Sequence, residues 1–302
     1  MKVLVWLPNE IATFAVQPNQ LSRLAERCPQ HSFRAVENEQ EFVAALPDAE
    51  AAFVWRFDAA WYALGPQLRF VATPAAGREL VAPDPSGRVR SVHGHFHGKI
   101  MGETLLAMML HVSRRFDICV EHQRLHRYAR DSYVETRRLA GQHALIVGYG
   151  PLGRECARLL KGVGLRVTGL KRNAQVDPTP ADAVVPAERL HELLPQVDHV
   201  VLTLPSDTGT DHLLGARELE LMRPSACVYN LGRGNAIDEA ALLSALRSGR
   251  IAHAFLDVFE QEPLPTDSPL WDAPHLSVLP HASAISREYL DLWFEELAAE
   301  QL

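Results

Sequence analysis

The stretch ALIVGYGPLGRECARLLKGVGLRVTGLKR, from Ala144 to Arg172, constrains the fold more than any other part of the chain. Ala144 to Val147 are four apolar residues in a row, the pattern of a strand buried on both faces. The turn Gly148-Tyr149-Gly150-Pro151-Leu152-Gly153 follows, then a helix-like segment, then a second apolar run from Leu165 to Leu170. Glycines so placed permit a tight turn, close approach of the backbone to a pyrophosphate, and packing of helix on strand. The stretch therefore predicts a βαβ dinucleotide-binding unit, with residues Gly148, Tyr149, Gly150, Pro151, Leu152 and Gly153 around the cofactor. A structural turn that binds nothing is the alternative, and the setting between two apolar runs argues against it.

The same rhythm extends in both directions. Before the motif, short segments at Val3 to Leu7, Ser32 to Val36, Ala51 to Trp55, Leu68 to Thr73 and Val89 to Val92 read as strands. Helical patterns at Asn19 to Arg27 and Glu39 to Leu46 lie between the earlier of these. A long helix is expected from Lys99 to Arg115 and another from Val120 to Arg130. After the motif, strands are expected at His199 to Leu204, Ala226 to Asn230, Ala252 to Leu256 and Leu276 to Leu279, with helices at Glu239 to Ser248 and Ser286 to Leu302. Short strands alternating with helices predict parallel sheets covered on both faces. The expected fold is α/β with two doubly wound parallel-sheet domains. Residues 98–283 are expected to form a Rossmann nucleotide domain, and residues 1–97, completed by the C-terminal helix 284–302, a smaller flavodoxin-like substrate domain.

Charge and cysteine usage narrow the partners. A net charge of −7 over 302 residues argues against a nucleic acid or an acidic membrane, so an anionic ligand must be drawn by local cations. Cys28, Cys119, Cys156 and Cys227 form no CxxC pair and read as reduced thiols of a cytoplasmic protein. The opening MKVLVWLPNE is too short an apolar run for a signal peptide, and no run approaches membrane-spanning length. His93, His95 and His97 alternate as metal ligands on an extended chain could. The glycines around them favour a loop at the substrate cleft instead, with no metal.

Ligands of open parallel sheets bind at the carboxyl ends of strands, where the strand order reverses. Three strand ends after the motif carry Leu231-Gly232-Arg233-Gly234, Asp257 to Pro263, and Pro280-His281-Ala282-Ser283. An arginine, a carboxylate and a histidine at successive strand ends suit reduction of a carbonyl beside a carboxylate. Hydride addition makes an alkoxide, which a histidine near neutral pH can protonate. A carboxylate bonded to that imidazolium favours its charged form. An arginine can hold the substrate carboxylate and polarise the carbonyl. Arg56, directly after the strand Ala51 to Trp55, and His95 are further candidates for holding an anionic substrate.

The segments VYNLGRGNAIDEAALLSAL, AFLDVFEQEPLP and LPHAS, in that order, resemble the signature blocks of the D-isomer-specific 2-hydroxyacid dehydrogenases. The resemblance is densest from Asp198 to Ala282, and Trp55 and the LKRN stretch look most like the glyoxylate/hydroxypyruvate reductases. It implies that Arg233 takes the arginine role, that Glu262 partners the histidine and that His281 is the acid/base. It implies Asp257 near the nicotinamide amide, and Ala76 and Gly77 as backbone contacts of the substrate carboxylate. Further cofactor contacts are expected at Leu204, Pro205, Thr210, Leu231, Gly232 and Ser283. A homodimer is expected from the family.

NAD-binding sites of this kind place an acidic residue at the end of the second strand, on the ribose 2′-hydroxyl. Here that place holds Lys171 and Arg172. Two cations remove the reason to exclude a 2′-phosphate and supply donors for it, so NADP(H) is the expected cofactor, with NAD(H) the alternative. The expected function is reduction of a small 2-oxo acid to the D-2-hydroxy acid. A non-catalytic nucleotide-sensing scaffold and a dehydrogenase for another small anion are the rivals.

Overall fold

The apolar runs become strands because each can be covered on both faces. In the computed structural model, which describes residues 1–302 throughout, the chain divides into two units: Met1–His97 with Ile285–Leu302, and Gly98–Ala284. No helix is long and apolar enough to cross a membrane.

The smaller unit is built on a parallel sheet of β1 (Lys2–Trp6), β2 (Ser32–Ala35), β3 (Ala51–Val54), β4 (Phe70–Thr73) and β5 (Arg90–His93), in the order β2-β1-β3-β4-β5. The central strands β3 and β4 are buried along their whole length, whereas the edge strand β2 is mostly exposed. Helix α1 (Pro18–Arg27) starts where Pro18 occupies the first turn and the Gln17 amide donates to the Gln20 side chain (3.0 Å). Helix α2 (Glu39–Ala45) starts on Asn38, whose side chain accepts the Glu41 amide at 2.9 Å. One side of the sheet is filled by Trp6, Phe42, Phe57 and Trp61. On the C-terminal helix Tyr289–Glu300, Trp293 and Phe294 pack against Phe53. Trp293 is wholly buried, so truncating it to alanine would cost about 3–5 kcal/mol.

The larger unit holds seven parallel strands: β6 (His143–Val147), β7 (Arg166–Lys171), β8 (Ala183–Pro186), β9 (His199–Leu202), β10 (Cys227–Asn230), β11 (His253–Leu256) and β12 (Leu276–Val278). Their order, β12-β11-β10-β9-β6-β7-β8, reverses between β6 and β9, which is the switch point of a doubly wound sheet. Helices α3 (His97–Ser113), α4 (Phe116–Arg124), α5 (Pro151–Gly162), α6 (Leu190–Leu193), α7 (Ala216–Leu221) and α8 (Glu239–Arg247) accompany it. On α5 the residues Cys156, Ala157 and Leu160 are buried and face the sheet, at the spacing of one helical stripe.

Some boundaries differ from expectation. The helix expected at Val120 to Arg130 runs over Phe116–Arg124, because Arg115 takes a left-handed conformation (φ 56°) that separates it from α3. His97 belongs to the first turn of α3 rather than to a loop. The strand β8 and the short helices α6 and α7 had no counterpart among the expected elements.

Candidate active site

The glycine turn after β6 has the geometry its composition suggested. Gly148 has φ +103°, and a side chain there would press on the Thr203 carbonyl at 2.9 Å. A Cβ on Gly153 would meet the Gly148 carbonyl at 2.7 Å, so α5 packs directly on the turn. Around Gly150 nothing lies within 4 Å of an added Cβ, leaving an open side. Pro151 begins α5, and Gly150 offers no side-chain cap, so the helix presents unsatisfied backbone amides, from Leu152 and Gly153, beside that open side. These residues fit a pyrophosphate. Tyr149 does something composition did not reveal. Its ring is fully buried against Gly169 in the middle of β7, where an added Cβ would come within 2.5 Å of it. Its hydroxyl donates to the Pro178 carbonyl (2.6 Å) and accepts from the Ala181 amide (3.0 Å). Burial pushes this phenol above its ordinary range.

Lys171 closes β7 and Arg172 follows it, with its side chain largely exposed. Arg172 Nη1 lies 3.3 Å from Asp207 Oδ2. Beyond β9, Leu204, Pro205 and Thr210 form one bracket: the Thr210 hydroxyl donates to the Pro205 carbonyl (3.1 Å). Gly232 packs on it so closely that a Cβ would meet the Leu204 amide nitrogen and carbonyl oxygen at 2.6 and 2.5 Å. Leu204 and Pro205, with Leu231 and Gly232, thus line adjacent strand ends.

The next turn carries Arg233. Asn230, at the end of β10, shapes it by accepting the Gly232 amide (3.1 Å) and donating to the Arg233 carbonyl (3.0 Å). The Arg233 guanidinium reaches back to the Gly232 carbonyl (3.0 Å). Gly234 then sits on the loop after β11, where a Cβ would fall 1.9 Å from the Phe259 carbonyl carbon and oxygen. That loop is also latched from the other side. Glu260 donates its amide to Glu239 Oε1 (2.8 Å), Glu239 returns its amide to Glu260 Oε1 (3.3 Å), and His212 Nε2 joins Glu260 Oε1 (3.0 Å).

Within that loop, Glu262 accepts the Phe259 amide on Oε1 (3.0 Å), which aims Oε2 at His281 Nδ1, 2.7 Å away. The bond to Nδ1 leaves Nε2 for a ligand. His281 itself has φ +52°, a conformation rarely adopted by a residue with a side chain. Asp257 explains how it persists. The aspartate is 1 % exposed, and its backbone carbonyl takes the His281 amide (2.8 Å). Its Oδ1 takes the Ala282 and Ser283 amides (2.7 and 3.0 Å), and its Oδ2 takes the Ser283 hydroxyl. Sequence reasoning placed Asp257 and Ser283 beside the cofactor and did not see that they bond each other.

In the smaller unit, Ala76 and Gly77 lie in the turn after β4. The Gly77 carbonyl accepts from His93 Nδ1 (3.0 Å), and the Ala75 carbonyl accepts the Gly94 amide (3.2 Å). Burial lowers the His93 imidazole below its ordinary range. Gly94 must be a glycine, because a Cβ would lie 2.4 Å from the Pro74 carbonyl. His95 is exposed and its amide donates to Glu296 (2.9 Å), while His97 Nε2 pairs with the Tyr289 hydroxyl (2.9 Å). The three histidines therefore do not converge on one point. Arg56 is paired with Glu39 and Asp58 and lies over the rings of Trp6 and Trp61.

Comparison with known proteins gives three kinds of match. A family model described as D-isomer specific 2-hydroxyacid dehydrogenase, NAD binding domain, matches residues 106–283. Over 138 residues the chain is 40% identical to a glyoxylate reductase of Thermococcus gammatolerans, covering 45% of this chain and 40% of that protein. Over 194 residues it is 34% identical to glyoxylate/hydroxypyruvate reductase A of Salmonella paratyphi B, covering 63% and 60%. The chain thus matches less than two thirds of the length of either relative. Among solved structures, a D-isomer specific 2-hydroxyacid dehydrogenase from Xanthobacter autotrophicus Py2, in complex with NADPH and MES, is 27% identical with a TM-score of 0.72. That match covers 99% of this chain and 93% of the other.

Proposed function

The chain belongs to the D-isomer specific 2-hydroxyacid dehydrogenase family, and from that premise we propose that it is an NADP(H)-preferring reductase of a small 2-oxo acid. The substrate is of the glyoxylate or hydroxypyruvate kind, and the product is the D-2-hydroxy acid. The observation that carries this reading is the 2.7 Å bond from His281 Nδ1 to a Glu262 carboxylate that is itself fixed by the Phe259 amide. A histidine so oriented presents Nε2 as a proton donor, which is what a carbonyl reduction requires.

The nicotinamide, when bound, supplies the hydride. As the carbonyl carbon is reduced, negative charge grows on its oxygen, and His281 delivers the Nε2 proton there. Glu262 stabilises the imidazolium before transfer through its bond to Nδ1. Arg233 holds the substrate carboxylate and polarises the carbonyl. In the smaller unit, the backbone amides of Ala76 and Gly77 and the side chain of His95 are the proposed contacts of an anionic substrate. Arg56 has the lesser part, since its guanidinium is already paired with two carboxylates.

On the cofactor side, the turn Gly148–Gly153 takes the pyrophosphate, and Leu204, Pro205, Thr210, Leu231, Gly232, Asp257 and Ser283 line the rest. NADP(H) preference is supported by Lys171 and Arg172 where a ribose-binding carboxylate would otherwise stand. It is supported also by the Xanthobacter relative, which is described with NADPH. A homodimer is part of the same reading. It is supported by apolar side chains left exposed on and after α4, namely Phe116, Val120, Leu125, Tyr128 and Val134.

The test is a panel of 2-oxo acids with NADPH and with NADH, followed at the nicotinamide absorbance. Turnover of glyoxylate or hydroxypyruvate, faster per KM with NADPH, is the expected result. Equal kcat/KM with the two cofactors overturns the preference. No turnover of any 2-oxo acid despite NADPH binding overturns the reductase and leaves a nucleotide-sensing scaffold.

A further inference from the structure

Arg172 is the first residue beyond β7, and Asp207 lies on the bracket beyond β9. These two strands flank β6 in the sheet. The ion pair between Arg172 Nη1 and Asp207 Oδ2, at 3.3 Å, therefore bridges the switch point above the glycine turn. The two partners differ in freedom. Asp207 is fixed: Oδ1 accepts the Gly209 amide (2.9 Å), and its own amide donates to the Thr210 hydroxyl (3.2 Å). The Gly209 amide, and after it the Arg172 guanidinium, hold the Asp207 carboxyl below its usual range. Arg172 carries a side chain that is 81% exposed and has Asp207 as its anchored counter-charge.

We propose that Asp207 is a specificity-determining residue that limits the preference for NADPH over NADH by competing with the 2′-phosphate for Arg172. The proposal rests on the reading of Arg172 as the 2′-phosphate ligand. A 2′-phosphate brings up to two negative charges to a guanidinium that already has a carboxylate. It must share or displace that carboxylate, which the Gly209 and Thr210 bonds prevent from swinging away. NADH, with only a hydroxyl there, leaves the pair undisturbed. The fixed carboxylate thus taxes one cofactor and not the other.

The substitution that isolates the charge is Asp207→Asn, because the asparagine oxygen still accepts the Gly209 amide and the cap survives. An exposed pair of this kind supports an effect of about threefold. Dissociation constants for NADPH and NADH are measured by nicotinamide fluorescence on the full chain, for wild type, Asp207→Asn, Arg172→Ala and the double variant. The expected result is an NADPH constant about threefold lower in Asp207→Asn, an NADH constant unchanged, and no gain in the Arg172→Ala background. Asp207→Glu, which keeps the charge, gives no gain. Weakening of NADPH by Arg172→Ala without tightening by Asp207→Asn overturns the Asp207 proposal and leaves the cofactor reading intact. A gain that persists in the Arg172→Ala background also overturns it. If Arg172→Ala leaves NADPH binding unchanged, it is the cofactor reading that falls, and the competition falls with it.

Discussion

Asp257→Ala tests whether the left-handed His281 is held in place by the aspartate beneath it. The alanine removes the acceptor of three donors at a site only 1 % exposed: the Ala282 amide, the Ser283 amide and the Ser283 hydroxyl. Each buried donor left without a partner costs about 1–3 kcal/mol. The hydroxyl can turn elsewhere, so the two amides dominate and the total should be about 3 kcal/mol. For a unit of this size that lowers Tm by roughly 6–12 °C. His281, at φ +52°, loses the restraint on the two residues after it and keeps the bond of its amide to the residue-257 carbonyl and that of Nδ1 to Glu262. A shift of about 1 Å in a proton donor is worth about a hundredfold in rate. The assay pairs thermal unfolding with kcat and an NADPH dissociation constant. A fall in Tm and kcat with NADPH binding held within about twofold supports the tether. Asp257→Asn, whose side-chain oxygen can still take both amides, should lie much closer to wild type. If Asp257→Ala loses stability while kcat is unchanged, the tether reasoning is wrong. If its main effect is on NADPH binding, the carboxylate serves the nicotinamide directly.

His281→Ala should abolish turnover of the 2-oxo acid while NADPH fluorescence titration remains near wild type; retained turnover refutes the acid role. Glu262→Gln should lower kcat by about a hundredfold with little change in Tm, read by steady-state kinetics and thermal melts. Gly234→Ala places a Cβ 1.9 Å from the Phe259 carbonyl, so the Glu262 loop must retreat by about 1.5 Å. Both Tm and kcat should fall, and an unchanged kcat would show that the loop position does not matter. Burial holds the imidazoles of His199 and His253 down to about 4 from an ordinary 6.5. Between these values the unfolded chain binds more protons than the folded one, so stability should fall as pH drops from about 6.5 to about 4. His253→Gln should make that slope shallower in denaturant titrations.

What could be read from the chain was what depends on neighbours in sequence. Fully buried parallel strands show as unbroken apolar runs, so β3, β6, β9 and β10 announced themselves, and the residues after them followed. The places of Arg233, Glu262 and His281 at strand ends could be read because each follows an apolar segment or its loop, while the roles given to them are the proposal made above. The strand β8 was not legible, since Ala183–Pro186 is a half-buried edge strand whose apolar run is only three residues long before a proline ends it. Helix α4 was misplaced because its start depends on Arg115 at positive φ, a conformation usually signalled by glycine. The Asp257 tether was invisible for a different reason. Its partners are backbone amides 25 and 26 residues away, and an amide carries no sequence signature. The latch of Glu239, Glu260 and His212 is hidden likewise, being three ordinary surface residue types until the fold brings them together.

The packing of Tyr149 onto Gly169 has an evolutionary corollary. The two positions lie 20 residues apart and form a lock in which the ring occupies the volume a side chain at 169 would need. Any lineage acquiring a larger residue at 169 must first have replaced the tyrosine, whereas the tyrosine can be lost freely while the glycine stays. Among homologues the pairing should therefore be one-sided: an aromatic ring at 149 always accompanied by glycine at 169, and glycine at 169 often found without the ring.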